Sequence, residues 1–315
     1  MLNESRIYLA GHTGLLGSAI LKELQGRGCS KIITRTRREL QLTGQRAVDR
    51  FFKTRRPEYV FLAAGLSGGP AAETAYPADL MHVNISIQDN FFEAAQRHGV
   101  KHLVFFGSPC VYPENRPQPV KEVSLLTGEA GLPCTAYAAA KMAGLAACRA
   151  YNSQYRANRF IALVPGSIYG PKDRFAQNSH ALSTLVREFH RAKVERREDV
   201  TLSGSGSEVR GFLYSGDAAR AAIFAAENAG SLSNRHYNIG QGSCGTLKEL
   251  AETVAGVVGF EGRTLWCKGG PGDASGRLLD GTDFGKLGWE PVTGLRDGVR
   301  MTYEWFLANE MDRSA

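Results

Sequence analysis

The stretch Ile7-Tyr8-Leu9-Ala10-Gly11-His12-Thr13-Gly14-Leu15-Leu16-Gly17 constrains this chain more than any other. A short apolar run ends in three glycines at G-x-x-G-x-x-G spacing, and helical apolar spacing continues from Ser18 to Leu24. The pattern is strand, glycine turn, helix. Glycines let the backbone come close to a pyrophosphate, while the first turn of the helix offers N–H groups and a favourable dipole. Gly11, Gly14, Leu15, Leu16 and Gly17 are therefore candidate dinucleotide-binding positions. A lone turn of this kind is a weak signal, and it gains weight only when further strands succeed it at βαβ spacing.

Lys31 to Ile33 is the expected second strand, and its end decides which dinucleotide fits. An acidic residue there would accept from the ribose hydroxyls of NAD, but the sequence reads Thr34-Arg35-Thr36-Arg37-Arg38. Arginine forks suit a 2′-phosphate, so Arg35 and Arg37 point to NADP(H). An exposed basic turn is the plainer alternative. Tyr59 to Ala64 is a continuous apolar run of the kind a parallel strand buried on both faces needs. Ala63 and Ala64, leading into Gly65, mark a close backbone approach along the cofactor. A helix is expected over Met81 to His98, then a strand at Leu103 to Phe106 that delivers Gly107-Ser108-Pro109-Cys110, and another strand at Phe160 to Val164 before Pro165.

Strands and helices alternating at this spacing predict an α/β fold, a doubly wound parallel Rossmann sheet whose ligands lie at the carboxyl ends of the strands. Ser108 and Cys110 sit at such an end. The second half adds an amphipathic helix after Asn178-Ser179-His180 running to about Arg191, and a strand at Arg210 to Tyr214. Next are a helix over Asp217 to Asn228, a strand at Tyr237 to Ile239 and a last helix from Leu295 to about Asn309. The expected organisation is a Rossmann domain over residues 1–165, with 211–240 returning to it, and a smaller C-terminal α/β substrate domain from 166–210 and 241–315.

Tyr137-Ala138-Ala139-Ala140-Lys141 places a phenol and an ammonium one above the other on one helical face. A tyrosine titrates near ~10, so proton exchange near neutrality requires a displacement of roughly 3 units, and a neighbouring cation acts in that direction.

Composition narrows the alternatives. With 43% of 315 residues hydrophobic, the chain can bury a substantial core. No apolar run approaches the roughly 20 residues of a membrane span, and Met1 to Ser5 lacks the regions of a signal peptide, so a cytoplasmic protein without membrane contact is expected. The six cysteines show no C-x-x-C pair, which indicates neither a metal site nor a disulfide framework. The net charge of +7 suits an anionic ligand, but the basic groups are short and mixed with acids, the pattern of a solvated surface rather than a nucleic-acid face.

The glycine turn, Gly107-Ser108, Tyr137 to Lys141 and Tyr169-Gly170-Pro171 occur in the order of the extended short-chain dehydrogenases/reductases, which this chain resembles over essentially its whole length. Finer stretches resemble the GDP-L-fucose synthase family: Ala10-Gly11-His12, Tyr76-Pro77-Ala78-Asp79, Gly107 to Pro113, Ala150 to Tyr155, Asn178-Ser179-His180, Phe189-His190 and Gly204-Ser205-Gly206. The resemblance implies an NADPH-dependent 3,5-epimerase/4-reductase of a GDP-4-keto-6-deoxy sugar, working as a homodimer. It implies Cys110 as base and His180 as acid in epimerisation, with Ser108, Tyr137 and Lys141 serving reduction. By residue type alone Cys110 could be a buried filler and His180 a capping or packed residue. It also implies cofactor contacts at Lys141, Pro165 and His180, and substrate contacts at Asn178, Arg187, Arg210 and Arg277. Thr13, Ser167, Glu188 and Gly276 depart from the family pattern, as does the absence of a lysine between Ala64 and Gly68. These departures touch recognition more than chemistry, so a C4-reductase or epimerase acting on a GDP-heptose or dTDP-sugar is the alternative.

Overall fold

In a computed structural model of the chain, described for residues 2–113, 117–125, 135–175, 180–240, 243–267 and 277–310, all four residues of β1 (Ile7–Ala10) are buried. Their side chains alternate between two cores: Ile7 and Leu9 on one face of a sheet, Tyr8 and Ala10 on the other. The strand leads into α1 (Leu15–Gly26), β2 (Ile32–Arg35), α2 (Gln45–Arg55) and β3 (Tyr59–Leu62). Next come α3 (Gly69–Ala75), α4 (Pro77–Arg97), β4 (His102–Phe106), α5 (Ala136–Tyr155) and β5 (Phe160–Pro165). These strands and β9 (His236–Ile239) form one six-stranded sheet in the order β2-β1-β3-β4-β5-β9. Every pair in it is parallel. The order reverses at β1, with β2 on one side and β3 on the other, which opens a crevice at the carboxyl ends.

Helices cover both faces. Helix α1 packs with α7 (Ser215–Glu227) on one face, and α2, α4 and α5 pack on the other. The remaining elements are β6 (Ser167–Tyr169), α6 (Ala181–Val194), β7 (Asp199–Ser203), β8 (Val209–Tyr214), β10 (Ser243–Thr246), α8 (Leu247–Val258), β11 (Arg263–Cys267), α9 (Thr282–Gly285) and α10 (Leu295–Asn309). Helices α6, α8 and α10 bury a third core against two small sheets, β10-β8-β6 and β11-β7. Of the segment 211–240, residues 211–214 pair in the small sheet, and β9 is the strand that rejoins the large one. Beyond it, Phe284 and Trp289 return to the α1–α7 core.

Helix α4 begins at Pro77, a turn earlier than the Met81 start expected from apolar spacing. Pro77 occupies the first helical turn, where its missing N–H costs nothing, and Asp79 complements the positive end of the dipole. Helix α5 crosses α4 and β4 at close range. A Cβ on Gly144 would stand 2.3 Å from Gln88 Oε1 and 2.3 Å from Phe105 Cζ. The buried Gln88 side chain is itself fixed, donating to the carbonyl of Ala140 at 2.8 Å. Gly144→Ala should therefore overpack this crossing and cost about 1–3 kcal/mol. A lowered urea midpoint at unchanged slope is the expected reading.

Candidate active site

The crevice is built from the ends of β1, β3 and β4. At the first, Gly11 takes φ +86°, and a Cβ there would lie 2.7 Å from both Ala63 C and Ala64 N. A Cβ on Gly17 would lie 2.0 Å from the Gly11 carbonyl oxygen. Both glycines are required by close backbone approach, and the turn is pressed against Ala63 and Ala64 as expected. No side chain caps α1 at Gly14, which leaves the N–H groups of Leu15, Leu16 and Gly17 to a ligand. These features fit a dinucleotide pyrophosphate.

At the end of β2 the arginines are arranged differently from a simple fork. Arg35 donates to the Thr34 carbonyl at 2.7 Å and lies over the Phe51 ring, 5.9 Å from its centroid, while Arg37 is exposed. Glu39 closes the same turn, accepting from Thr36 N and Thr36 Oγ1 at 2.7 Å each. Those bonds, with the Arg35 and His12 charges, hold its carboxyl below the usual range.

At the end of β4, Ser108 precedes a single turn of 3-10 helix, Pro109–Val111, that packs on α5. The Cys110 thiol donates to Ser108 Oγ at 3.1 Å. Thr135 caps α5 by accepting from Ala138 N at 3.1 Å, and Glu73 on α3 accepts from Tyr137 N at 3.0 Å. One turn further, Lys141 is buried and donates to the Phe106 carbonyl at 2.9 Å. Its ammonium lies 5.0 Å from the Phe105 ring centroid and 5.7 Å from that of Tyr137. Ser108, Cys110, Tyr137 and Lys141 thus meet at one strand end, with Cys110 close enough to influence the titration of both Tyr137 and Lys141.

The expected acidification of Tyr137 is not found in the chain by itself. Burial pushes the phenol well above its ordinary range, and the nearby Cys110 and Glu73 push it further. Burial also drops the Lys141 ammonium from 10.5 to about 8, opposed by Cys110. Its hydrogen bond goes to Phe106 rather than to the phenol oxygen. Desolvation is the largest influence on both groups.

His180 lies at the start of α6, where its side chain makes no cap. It pairs instead through Nδ1 with Asp173 Oδ1 at 3.0 Å. The Asp173 segment leans on the loop after β3, because Arg174 donates to the Ser67 carbonyl at 3.1 Å. That loop also carries Gly65, where a Cβ would stand 4.0 Å from Lys141 Nζ. The candidate acid therefore stands on a segment tied to the loop after β3, and that loop approaches Lys141 at Gly65.

Residues 7–240 match the model of the NAD dependent epimerase/dehydratase family. The chain belongs to that family. Over 98% of its length it is 44% identical to GDP-L-fucose synthase 1 of Arabidopsis thaliana, covering 95% of that protein. It is 40% identical to the GDP-L-fucose synthase of Escherichia coli (strain K12), with 98% of each chain covered. Among solved structures, MlghC, a GDP-mannoheptose C4 reductase from Campylobacter jejuni with NADP bound, superposes at a TM-score of 0.88 with 37% identity, covering 98% of this chain and 99% of that one.

In this member of the epimerase/dehydratase family the expected substrate contacts lie apart from one another, two on small-domain elements and one beside the large sheet's core. Arg187 on α6 is held by the neighbouring Glu188, 2.7 Å from its Nη2, and also donates to the Phe175 carbonyl at 3.2 Å. Arg210 is buried on β8 opposite Gly245. Arg277 is buried where the chain returns to pair Leu279 with Val120. Pro165 is the buried last residue of β5, paired in register with Ile239 of β9. Asn178 and Gly276 lie outside the described residues. Sequence reasoning missed Asp173 and Glu73. Each stands in a loop or short helix with no periodic pattern, and only the proximity of an acid to Tyr169-Gly170-Pro171 hinted at the first.

The buried lysine has a thermodynamic signature. Its folded pKa lies below its unfolded value, so between about pH 8 and 10.5 the unfolded chain binds the extra proton and stability rises with pH. The gain is about 3 kcal/mol across that window. Comparing denaturation of wild type and Lys141→Met at pH 7 and pH 10 should show the wild type gaining relative to the variant.

Proposed function

We propose that the chain is an NADPH-dependent 3,5-epimerase/4-reductase of a GDP-4-keto-6-deoxy sugar, of the GDP-L-fucose synthase type. One observation carries this reading: the Ser108–Cys110 pair stands at the end of β4 directly beside Tyr137 and Lys141. An ordinary carbonyl reductase has no use for a thiol there. The full-length similarity to GDP-L-fucose synthases supports it.

The C4 ketone acidifies the hydrogens on C3 and C5. Cys110, as thiolate, removes one from its face of the ring, and His180 returns a proton to the resulting enolate from the other side. A thiol near ~8.5 and an imidazole near ~6.5 are both suited to exchange close to neutrality. NADPH, when bound, supplies the hydride that reduces C4. Tyr137 gives its proton to the C4 oxygen as charge develops there, and Ser108 Oγ hydrogen-bonds the same oxygen. The raised pKa of the isolated phenol keeps that proton in place until an alkoxide is there to take it. Lys141, protonated below about pH 8, adds positive charge beside the phenol and holds the nicotinamide ribose of the bound cofactor. Gly11, Gly14, Leu15, Leu16 and Gly17 hold the pyrophosphate, Arg35 and Arg37 the 2′-phosphate, and Ala63, Ala64 and Pro165 the cofactor's length. Arg187, Arg210, Arg277 and Asn178 serve the nucleotide end of the substrate.

A second reading, C4 reduction of a related GDP-heptose, is supported by the likeness to the GDP-mannoheptose C4 reductase, with Glu188 beside Arg187 as the departure that would alter recognition. Homodimer formation through α4 and α5 belongs to the same proposal, supported by the exposed apolar residues Met81, Ile85 and Tyr155. So does a cytoplasmic location. Among the described residues no helix is long and apolar enough to cross a membrane, and Cys29, Cys110, Cys148, Cys244 and Cys267 form no disulfide with one another.

Mixing the protein with NADPH and GDP-4-keto-6-deoxymannose should consume absorbance at the nicotinamide band and yield GDP-L-fucose. Cys110→Ser should lower formation of the fucose product by roughly 100-fold or more while un-epimerised reduction persists. Consumption only with a GDP-4-keto-heptose supports the second reading, and none with either substrate refutes both.

A further inference from the structure

Asp173 is a buried carboxylate whose three hydrogen bonds leave its orientation no freedom. Its side chain is 2% exposed, against 63% for His180. Oδ1 accepts from the Arg174 backbone N–H at 2.8 Å and faces His180 Nδ1 at 3.0 Å, while Oδ2 accepts from Ser183 Oγ at 2.9 Å. Ser183 is itself fully buried in the first turn of α6 and fixes the carboxylate relative to that helix. On the other side, Asp173 N donates to the Gly170 carbonyl at 3.2 Å, tying the residue to the end of β6. A carboxylate held this way can only accept from the imidazole, so Nδ1 carries the proton and Nε2 is the nitrogen that can exchange one.

We propose that Asp173 is the positioning residue of His180, fixing its tautomer and directing Nε2 toward the sugar ring. The proposal rests on the epimerase/reductase reading and deepens it. In the step concerned, the Nε2–H bond of the imidazolium breaks and its proton forms a C–H bond with the enolate carbon, using the enolate's electron pair. The imidazole left behind is neutral and still donates from Nδ1 to Asp173. Before transfer, the Asp173 carboxylate offsets the imidazolium charge. Cys110 holds the proton removed from the opposite face, and exchange with water restores both groups. Asp173 acts on this step alone, since hydride delivery to C4 uses Ser108, Tyr137 and Lys141.

The test separates exchange from reduction. With NADP+ in place of NADPH, the holoenzyme in deuterated water should wash deuterium into C3 and C5 of GDP-4-keto-6-deoxymannose. Asp173→Asn, which presents an amide that can stabilise the wrong tautomer, should slow that wash-in by roughly 100-fold or more. C4 reduction of the already epimerised 4-keto sugar should fall at least tenfold less. In wild-type protein labelled with 15N-histidine, the His180 signal, assigned by its loss in His180→Gln, should show a protonated Nδ1 and an unprotonated Nε2 in the neutral state. This measurement decides the matter even if the asparagine variant does not fold. A protonated Nε2, a wash-in rate within about threefold of wild type in Asp173→Asn, or equal losses in exchange and reduction each overturn the proposal. A wild-type enzyme with no wash-in overturns the functional reading together with it, whereas wash-in that survives Asp173→Asn overturns this proposal alone.

Discussion

The site depends on one buried ammonium. Lys141 reaches from α5 to the Phe106 carbonyl at the end of β4, and Ser108, Cys110 and Tyr137 stand about that bond. A charged hydrogen bond of this kind contributes roughly 1.5–3 kcal/mol, and the Phe105 face beneath the ammonium adds to it. Against this stands the desolvation that lowers the lysine's pKa to about 8. The balance is close, with the neighbouring Cys110 opposing the loss of charge that burial favours. A small gain in negative charge nearby, such as a developing phenolate at Tyr137, is therefore felt strongly there.

The same crossing fixes the helix that carries Tyr137 and Lys141. Gly144 lets α5 approach β4 and α4 at a distance that any Cβ would forbid. Gln88 then locks the helix through the Ala140 carbonyl, one residue before Lys141. Rigid placement of the phenol comes from Thr135 and Glu73, which satisfy the first N–H groups of the helix. The small domain contributes from the far side, with Asp173 and Ser183 holding the base of His180. In the proposed reading, these two parts of the fold bring Cys110 and His180 to one crevice set by the sheet's reversal at β1.

Much of this is legible in the sequence because it is periodic. The Rossmann strands announce themselves as buried runs, and α10 spans the Leu295 to Asn309 stretch that apolar spacing marks. The first turn of α4 escapes such a reading because Pro77 and Asp79 are helix-starting residues that add nothing to the apolar stripe. Strands β7 and β11 alternate between exposed and more sheltered residues at the edge of the small domain, and they lack the continuous apolar signature. An i,i+4 spacing suffices to bring Tyr137 and Lys141 together. It does not give their electrostatics, since spacing says nothing of burial, and burial dominates the phenol. Likewise Arg35 reads as a fork for phosphate, while its packing on Phe51 and the nearby Glu39 depend on a turn that forms only in the folded chain.

The central claim is that Tyr137 is the proton donor to a carbonyl reduced at this strand end. Its most direct test is a single-turnover stopped-flow measurement of nicotinamide oxidation by Tyr137→Phe loaded with NADPH and the keto-sugar nucleotide. A rate lower by roughly 100-fold or more is expected, with NADPH affinity retained. Turnover at the wild-type rate would contradict it.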